Sequence, residues 1–425
     1  MASARYGGLG RHMRDRAPGT YRLVAPWARA VKRASSVAFD VAVATGARAV
    51  SGHRSALGSS ADPRVILDGC VFQEHFGGIA RVWTALMKEW SHSGFARNVV
   101  VLDRGRTSPK VPGFTYIDLP RVRAYDTGAQ RRLIEAICSR ERADLYVSTL
   151  YTRPVTSRSL LCVLDFTPEV LGWDLSTPLW RDKRNAIAHA SAYICISQNT
   201  AHDLHRLYPE STARPWDVAL LGVDLTFRVS TSEEIEMLRA RFDLPANYYM
   251  FLGHRDDYKN ADLLFSALSR FGETPGFGVL LVGGAPELEP QFADAAHRIP
   301  VRIAHLGDDD LRAAFSGARA LLYLSRHEGF GLPILEAMAC GCPVISTMNS
   351  SLPEASGDVA VAVADANAEQ VADAMQRVLE PEIRSDLIAR GLAWSSTFTW
   401  ERTASAFQGA IERAARADRD GSGNA

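Results

Sequence analysis

The sequence lacks an excess of either charge, a long apolar run and a regular cysteine framework, and each absence excludes a class of protein. Its 48 Lys and Arg balance 48 Asp and Glu, so the whole-chain charge gives no reason to expect a nucleic-acid partner. No stretch reaches the ~18 consecutive apolar residues that a transmembrane helix needs. The six cysteines lie mostly in apolar runs such as "LLCVLD" and "AYICIS", which predicts buried, reduced thiols in a cytoplasmic protein.

The neutral total hides a basic N-terminal extension. Residues 1–60 hold ten Lys and Arg against two Asp. Over residues 20–45 apolar residues recur every three or four positions among basic ones, which predicts a basic amphipathic helix. Such a helix fits peripheral contact with the inner face of the cytoplasmic membrane, binding to a partner, or packing on its own domain, and the sequence leaves these alternatives open. The extension lacks the pattern of a secretory signal.

From residue 61 onwards, short apolar runs alternate with helical patterns, which predicts parallel sheets covered by helices on both faces. The alternation breaks near residues 225–232 and then resumes. A chain of 425 residues is also too long for one simple core. We therefore expect two Rossmann-like α/β domains, over 61–228 and 229–396, then a helix over 397–416 and a disordered tail over 417–425.

The unusual polar residues follow predicted strands, at the sheet edge where open α/β sheets bind ligands. "HRDDYKN" comes directly after "YYMFLG" and contains His254, Arg255 and Lys259. "RHEGFGLP" comes after "ALLYLS" and leads into a helix that starts near its proline. The amides of Gly329–Leu332 would then be free to bind a diphosphate, whose charge Arg255 and Lys259 would neutralise.

Two glutamates flank this glycine turn. Glu336 is predicted in the first turn of the helix, where a carboxylate favours the helix dipole without any ligand. Glu328 precedes the turn and has no such structural reason. The pair could also be the acid and nucleophile of a glycoside hydrolase, but a phosphate-type turn beside basic residues argues against that interpretation.

The segment Glu328–Pro343 resembles the E-x7-E motif of the retaining family-4 glycosyltransferases (glycosyl transferases group 1), which have the GT-B fold. "SSLPEASGD", "LGHRDDYKN" and "FGGIARVW" are similar to further segments of that family, in the same order, over roughly residues 64–415. The resemblance implies two domains facing across a cleft, the N-terminal one on the acceptor side and the C-terminal one on the donor side. It also implies that the last helix crosses back to the N-terminal domain.

The resemblance further implies roles for single residues. Glu336 would hold the nucleotide ribose, and Glu328 would face the donor sugar together with the amides of Gly329, Phe330, Gly331 and Leu332. Lys259 and Arg255 would bind the diphosphate, which Gly77 and Gly78 would approach closely because they lack side chains.

The chain departs from the family at two positions. Relatives often have His-Asp where this chain has Leu164-Asp165, and Arg directly after the strand-end glycine, where this chain has His254. Asp165 and His254 are therefore secondary candidates. A third is His75 in "QEHFGG", which could approach the acceptor or cap the loop.

Two further groups resemble metal sites. Asp308–Asp310 contains the D-x-D spacing of metal-dependent glycosyltransferases, but it directly precedes "LRAAF", where Asp is a common N-cap. Cys340 and Cys342 lack further Cys or His at zinc spacing, and the glycine between them indicates the end of a helix. We expect no metal and no other cofactor.

The implied function is transfer of a sugar from a nucleotide-diphosphate sugar to a hydroxyl of a glycan or glycolipid, with retention of anomeric configuration. The expected role is surface polysaccharide or glycoconjugate biosynthesis. The alternatives are a GT-B nucleotide-sugar epimerase and a non-catalytic GT-B partner or scaffold. The presence of Lys259, Glu328 and Glu336 together favours an enzyme.

Overall fold

The computed structural model describes residues 62–417 except 74–76, 123, 256–257, 273–275, 297 and 365–366. The predicted basic extension with its helix over 20–45 lies outside the described residues, as do His75 and residues 418–425. Among the described helices, none is long and apolar enough to cross a membrane.

The first half of the described chain builds a parallel sheet with helices on both faces. Its strands are β1 (Val65–Asp68), β2 (Val99–Arg104), β3 (Thr115–Leu119), β4 (Leu145–Ser148), β5 (Ser159–Val163), β6 (Ala192–Cys195) and β7 (Trp216–Val218). Its helices are α1 (Gly77–Ser93), α2 (Gly128–Glu141), α3 (Thr167–Val170), α4 (Pro178–His189) and α5 (Gln198–Leu207). Alternate residues of β1 pack against α1 and α2, so the strand is apolar on both faces.

The second half builds another parallel sheet. Its strands are β8 (Tyr248–Leu252), β9 (Gly278–Val282), β10 (Val301–Ala304), β11 (Leu321–Tyr323), β12 (Val344–Thr347) and β13 (Val361–Val363). The helices of this half are α6 (Ser232–Phe242), α7 (Ala261–Leu268), α8 (Ala293–Ala296), α9 (Asp308–Gly317), α10 (Leu332–Ala339), α11 (Leu352–Ser356), α12 (Ala368–Arg377), α13 (Pro381–Ser395) and α14 (Trp400–Arg416).

The strand orders place a ligand crevice in each sheet. They are β3-β2-β1-β4-β5-β6-β7 and β10-β9-β8-β11-β12-β13. In both, the chain winds outwards from one central strand and then returns to its other side, which opens a crevice at the carboxyl ends. Lys259 follows β8 and Glu328 follows its neighbour β11, so this topology brings together two residues that lie 69 positions apart. The prediction of two parallel α/β domains is confirmed.

The last helix, α14, packs against α1 of the first sheet. The indole Nε1 of Trp90 donates a hydrogen bond to the carbonyl of Ala404 at 3.2 Å. The rings of Trp83 and Phe407 meet edge to face, with their centroids 5.8 Å apart. The two sheets lie on either side of residue 228, although the domain boundaries themselves stay predictions.

All six cysteines are free and buried, as the sequence predicted. Cys340 follows the last residue of α10, and Gly341 has a φ of 70°, a left-handed value that suits glycine at a helix end. β12 begins three residues later. The Cys-Gly-Cys sequence is therefore the connection between a helix and a buried strand.

A fully buried ion pair lies at the carboxyl ends of β1 and β2. The guanidinium of Arg104 donates to both oxygens of Asp68, at 2.9 and 2.7 Å, and the Tyr146 hydroxyl donates to the same carboxylate at 2.8 Å. Arg104 also donates to Gln130 of α2 at 3.1 Å. The pair thus ties the strand end that precedes the glycine loop to its neighbouring strand and helix.

We predict that Arg104→Met lowers the free energy of unfolding by about 3–5 kcal/mol, because Asp68 would keep a buried charge without its partner. Urea unfolding measures this change. The double variant Asp68→Asn/Arg104→Met should recover part of the loss, because it buries no uncompensated charge. Equal losses in the single and double variants would contradict the explanation.

Candidate active site

The turn before α10 presents a row of free backbone amides. Gly331 has a φ of 109° and occupies the N-cap of α10, with Pro333 as the second helical residue. None of the amides of Gly329–Leu332 donates to another described residue. Amides at a helix N-terminus carry partial positive charge, so this turn can bind an anion.

Lys259 and Glu328 meet beside this turn. The Nζ of Lys259 donates to Oε1 of Glu328 at 2.6 Å and to the hydroxyl of Tyr323 at 3.0 Å. The hydroxyl of Ser325 donates to the same carboxylate oxygen at 2.6 Å. Both charged side chains are about one-tenth exposed, so the pair is held at the edge of the cleft and remains within reach of a ligand.

Gly253 makes room for this lysine. A Cβ at Gly253 would lie 3.1–3.2 Å from the methylene carbons of Lys259, and the residue has a φ of 125°. A side chain at this position would therefore push Lys259 away from Glu328.

Arg255 is placed differently from the expectation that it binds the diphosphate. Its buried guanidinium donates to Glu289 at 2.8 Å and to the carbonyls of Gly283, Ala285 and Glu287. It therefore holds the loop after β9 in place. The residue directly after Gly253 is the exposed His254, and the following side chain turns inwards towards β9. This geometry favours a structural role for Arg255.

Glu336 lies further along α10 than the sequence predicted. It is the fifth residue of α10, in the second turn, where the helix-dipole effect expected of a first-turn carboxylate has faded. The side chain is about 6% exposed. Burial raises the pKa of Glu336 to about 7, although the charge of Arg81 opposes the rise. A buried carboxylate with so high a pKa is typical of a functional site.

Arg81 of α1 is a site residue that the sequence analysis missed. It donates to Oε1 of Glu336 at 2.7 Å and to Oδ1 of Asp308 at 2.5 Å. Arg81 comes four residues after Gly77, so it lies on the same face of α1 as the glycine loop. The four-residue spacing from Gly77 is the feature of the sequence that could have identified Arg81.

The Asp308–Asp310 triplet does not cap α9, so the prediction that an aspartate of this triplet is the N-cap was wrong. Gly307 is the N-cap, and the three aspartates fill the first helical turn. Their carboxylates pair with Arg81, Arg312 and Arg241. Within the described part of the chain, no group of three or more His, Cys, Asp or Glu is arranged to hold a metal ion.

The turn of the second domain touches the first domain at Gly329. A Cβ at Gly329 would lie 2.1 Å from the carbonyl oxygen of Leu164 and 2.9 Å from Cβ of Asp165, so only glycine fits. The carbonyl of Gly329 accepts hydrogen bonds from Ser197 at 2.7 Å and Thr200 at 3.1 Å, at the start of α5. The Leu164-Asp165 segment therefore lies against the turn through the carbonyl of Leu164 and the Cβ of Asp165.

Two more contacts cross the cleft near this point. His327 shares hydrogen bonds with Thr167 at 3.1 Å and with Asp203 of α5 at 2.9 Å. The carboxylate of Glu354 accepts from the first amide of α5 at 2.7 Å and from the second at 2.8 Å. Neither His327 nor Glu354 was predicted from the sequence as a site residue.

Gly77 and Gly78 begin α1 and are exposed. No described atom lies within 4 Å of a Cβ built at either position. No contact among the described residues therefore requires glycine at these two positions, and their approach to a diphosphate stays what the resemblance implies.

Comparison with known proteins shows the fold. Residues 246–381 match the family described as glycosyl transferases group 1. The sucrose-phosphate synthase of Thermosynechococcus elongatus is 19% identical with a TM-score of 0.62, and the alignment covers 82% of this chain and 98% of that one. Anabaena Alr3699/HepE in complex with UDP-glucose is 14% identical with a TM-score of 0.60, and the alignment again covers 82% and 98%. The fold is GT-B.

The curated relatives are longer than the matched segments. The O-antigen chain mannosyltransferase B of Escherichia coli is 43% identical over 101 residues, which cover 23% of this chain and 26% of the relative. The serotype-specific mannosyltransferase WbdA of Escherichia coli is 26% identical over 239 residues, covering 53% and 29%. The chain thus spans less than a third of the length of these two relatives.

We predict that Glu336→Gln becomes more stable relative to the wild type as pH rises. In the folded state the pKa of Glu336 is raised from its ordinary value of 4.5 to about 7. The wild type therefore loses stability as the pH rises from 4.5 to about 7. The variant has no such titration. The difference in unfolding free energy between the two should change by on the order of 2–3 kcal/mol from pH 4.5 to pH 8.

Urea unfolding at several pH values measures that difference. Glu401→Gln, which removes an exposed carboxylate from α14, serves as the control and should follow the wild type. The same difference between Glu336→Gln and the wild type at both ends of the range would be incompatible with a raised pKa.

Proposed function

We propose that the protein transfers a sugar from a nucleotide-diphosphate sugar to a hydroxyl of a glycan or glycolipid acceptor. The observation that carries this proposal is the meeting of Lys259, Glu328 and the free amides of Gly329–Leu332 at one point of a GT-B cleft. These groups provide a cation, a carboxylate and an anion-binding helix end within one small region. The match of residues 246–381 to glycosyl transferases group 1 supports the same reaction.

The reaction needs the leaving diphosphate to be stabilised as its charge develops. The bond between the anomeric carbon and the phosphate oxygen breaks, and the acceptor oxygen forms a new bond to that carbon. In this proposal Lys259 and the amides of the turn would stabilise the departing oxygen. In the described state Lys259 pairs with Glu328, so the incoming phosphate would share or take over this cation.

Retention of configuration is part of the proposal. The acceptor would attack the face that the phosphate leaves, and the leaving phosphate would accept the proton of the acceptor hydroxyl. Glu328, beside Lys259, would face the sugar. Glu336 would accept hydrogen bonds from the ribose through its buried carboxylate. In this scheme Lys259 and the helix end supply the positive charge, and no metal ion takes part.

The relatives suggest the first substrates to test. Both matched Escherichia coli proteins are named mannosyltransferases, and one is named for the O-antigen chain. The Anabaena neighbour is described in complex with UDP-glucose. We therefore propose a mannosyl donor and a surface polysaccharide acceptor as the leading pair. A location at the inner face of the cytoplasmic membrane stays a prediction.

A panel of nucleotide sugars tests the donor directly. Stabilisation of the fold by one member, followed by release of its nucleotide diphosphate without added metal and with EDTA present, is the expected result. An NMR spectrum of the product with an oligosaccharide acceptor would then report the anomeric configuration. An inverted product would exclude the retaining mechanism, and an epimerised donor without transfer would favour the epimerase.

We predict that Lys259→Met lowers turnover by at least a hundredfold, because the developing phosphate charge would lose its cation. Unfolding curves check that the variant is folded, because the lysine side chain is only about one-tenth exposed and its loss leaves Glu328 without its cation. Lys88→Met, which removes an exposed cation from α1, is the control and should retain its activity. Normal turnover in a folded Lys259→Met protein would show that the diphosphate is neutralised by other groups.

A further inference from the structure

We infer that Arg81 is a positioning residue for the donor nucleotide: from the opposite domain, it orients the Glu336 carboxylate so that this group can bind the ribose. The inference rests on the proposed function, because it concerns the same donor site. It adds a residue from the N-terminal domain to a site that the sequence assigned to C-terminal residues and the glycine loop.

The geometry fixes one carboxylate oxygen and leaves the other free. Arg81 donates to Oε1 of Glu336 at 2.7 Å, whereas Oε2 accepts no hydrogen bond from a described residue. The guanidinium is held from two further sides, by Asp308 at 2.5 Å and by the ring of Phe227, whose centroid lies 5.6 Å from Cζ. A carboxylate held in this way presents a defined acceptor to a ribose hydroxyl.

The electrostatics explain why Glu336 needs this cation. Asp308 of α9 and Asp224, which follows β7, both raise the pKa of Glu336 by repulsion, in addition to its burial. Arg81 is the cation that opposes them. Tyr323 of β11 and Cys340 beyond α10 also face this region, and burial raises the pKa of each, so both stay neutral near pH 7.

The contact also connects the ribose site to the position of the first domain. Arg81 and Glu336 are 255 residues apart and belong to different sheets. Opening of the cleft would withdraw the guanidinium and remove the contact that orients the carboxylate. Domain closure and the geometry of the donor site would therefore be coupled.

The test measures nucleotide binding against pH. UDP, GDP and ADP are titrated into the full-length protein by calorimetry from pH 5.5 to 9, and the nucleotide that binds the wild type most tightly is used throughout. In Arg81→Met the midpoint of the pH dependence should move up by about one unit, because a neighbouring cation is lost. Binding at pH 7 should weaken about fivefold. Titration of the phosphates affects all variants alike.

Two variants separate positioning from a general effect. Lys88→Met removes a cation from the same helix and should keep the wild-type midpoint. In a Glu336→Gln background, which has no carboxylate to position, Arg81→Met should cause no further loss of affinity. Circular dichroism and unfolding curves confirm that each variant is folded.

The outcomes are distinct. An unchanged midpoint in Arg81→Met, tighter binding in this variant at pH 7, or an equal loss in the Glu336→Gln background would each overturn the role of Arg81, while the donor site would stand. Failure of all three nucleotides to bind the wild type would overturn the donor site, and the role of Arg81 with it. A raised midpoint together with no effect in the Glu336→Gln background supports the inference.

Discussion

The two domains meet so closely at Gly329 that no side chain can fit there. A Cβ would lie 2.1 Å from the carbonyl oxygen of Leu164, a distance at which the backbone itself would have to move. The other contacts across the cleft depend on this approach. Ser197 and Thr200 reach the Gly329 carbonyl, and His327 reaches Asp203, only because the turn lies directly against the start of α5.

The cleft contains two electrostatic regions. On one side, Lys259 and the amides of the turn offer positive charge beside Glu328. On the other side, Glu336 and Asp308 place negative charge around the single guanidinium of Arg81. A nucleotide-diphosphate sugar has complementary parts, because its phosphates are anionic and its ribose hydroxyls donate hydrogen bonds. Burial strengthens the electrostatic interactions in both regions, since charges interact more strongly away from water.

The features that the sequence predicted correctly have local causes. Apolar runs followed by polar segments marked β8 and β11, and the rule that ligands lie beyond carboxyl ends placed Lys259 near Glu328. Other features depend on details that a pattern does not contain. Arg255, the second residue after Gly253, turns towards the loop after β9, and a helix start at Leu332 puts Glu336 in the second turn. The basic extension and His75 lie outside the described residues.

Contacts between the domains were the least predictable, because they depend on how two separate sheets are placed against each other. Arg81 and Glu336 each lie in a motif that can be recognised by itself, yet neither motif refers to the other. Leu164 is a second residue whose contact with the other domain could not be predicted from its own motif. The resemblance implies a histidine at this position, but the contact of Leu164 with the turn is made by its carbonyl oxygen, which every residue carries. A substitution of the Leu164 side chain can therefore leave this contact between the domains unchanged.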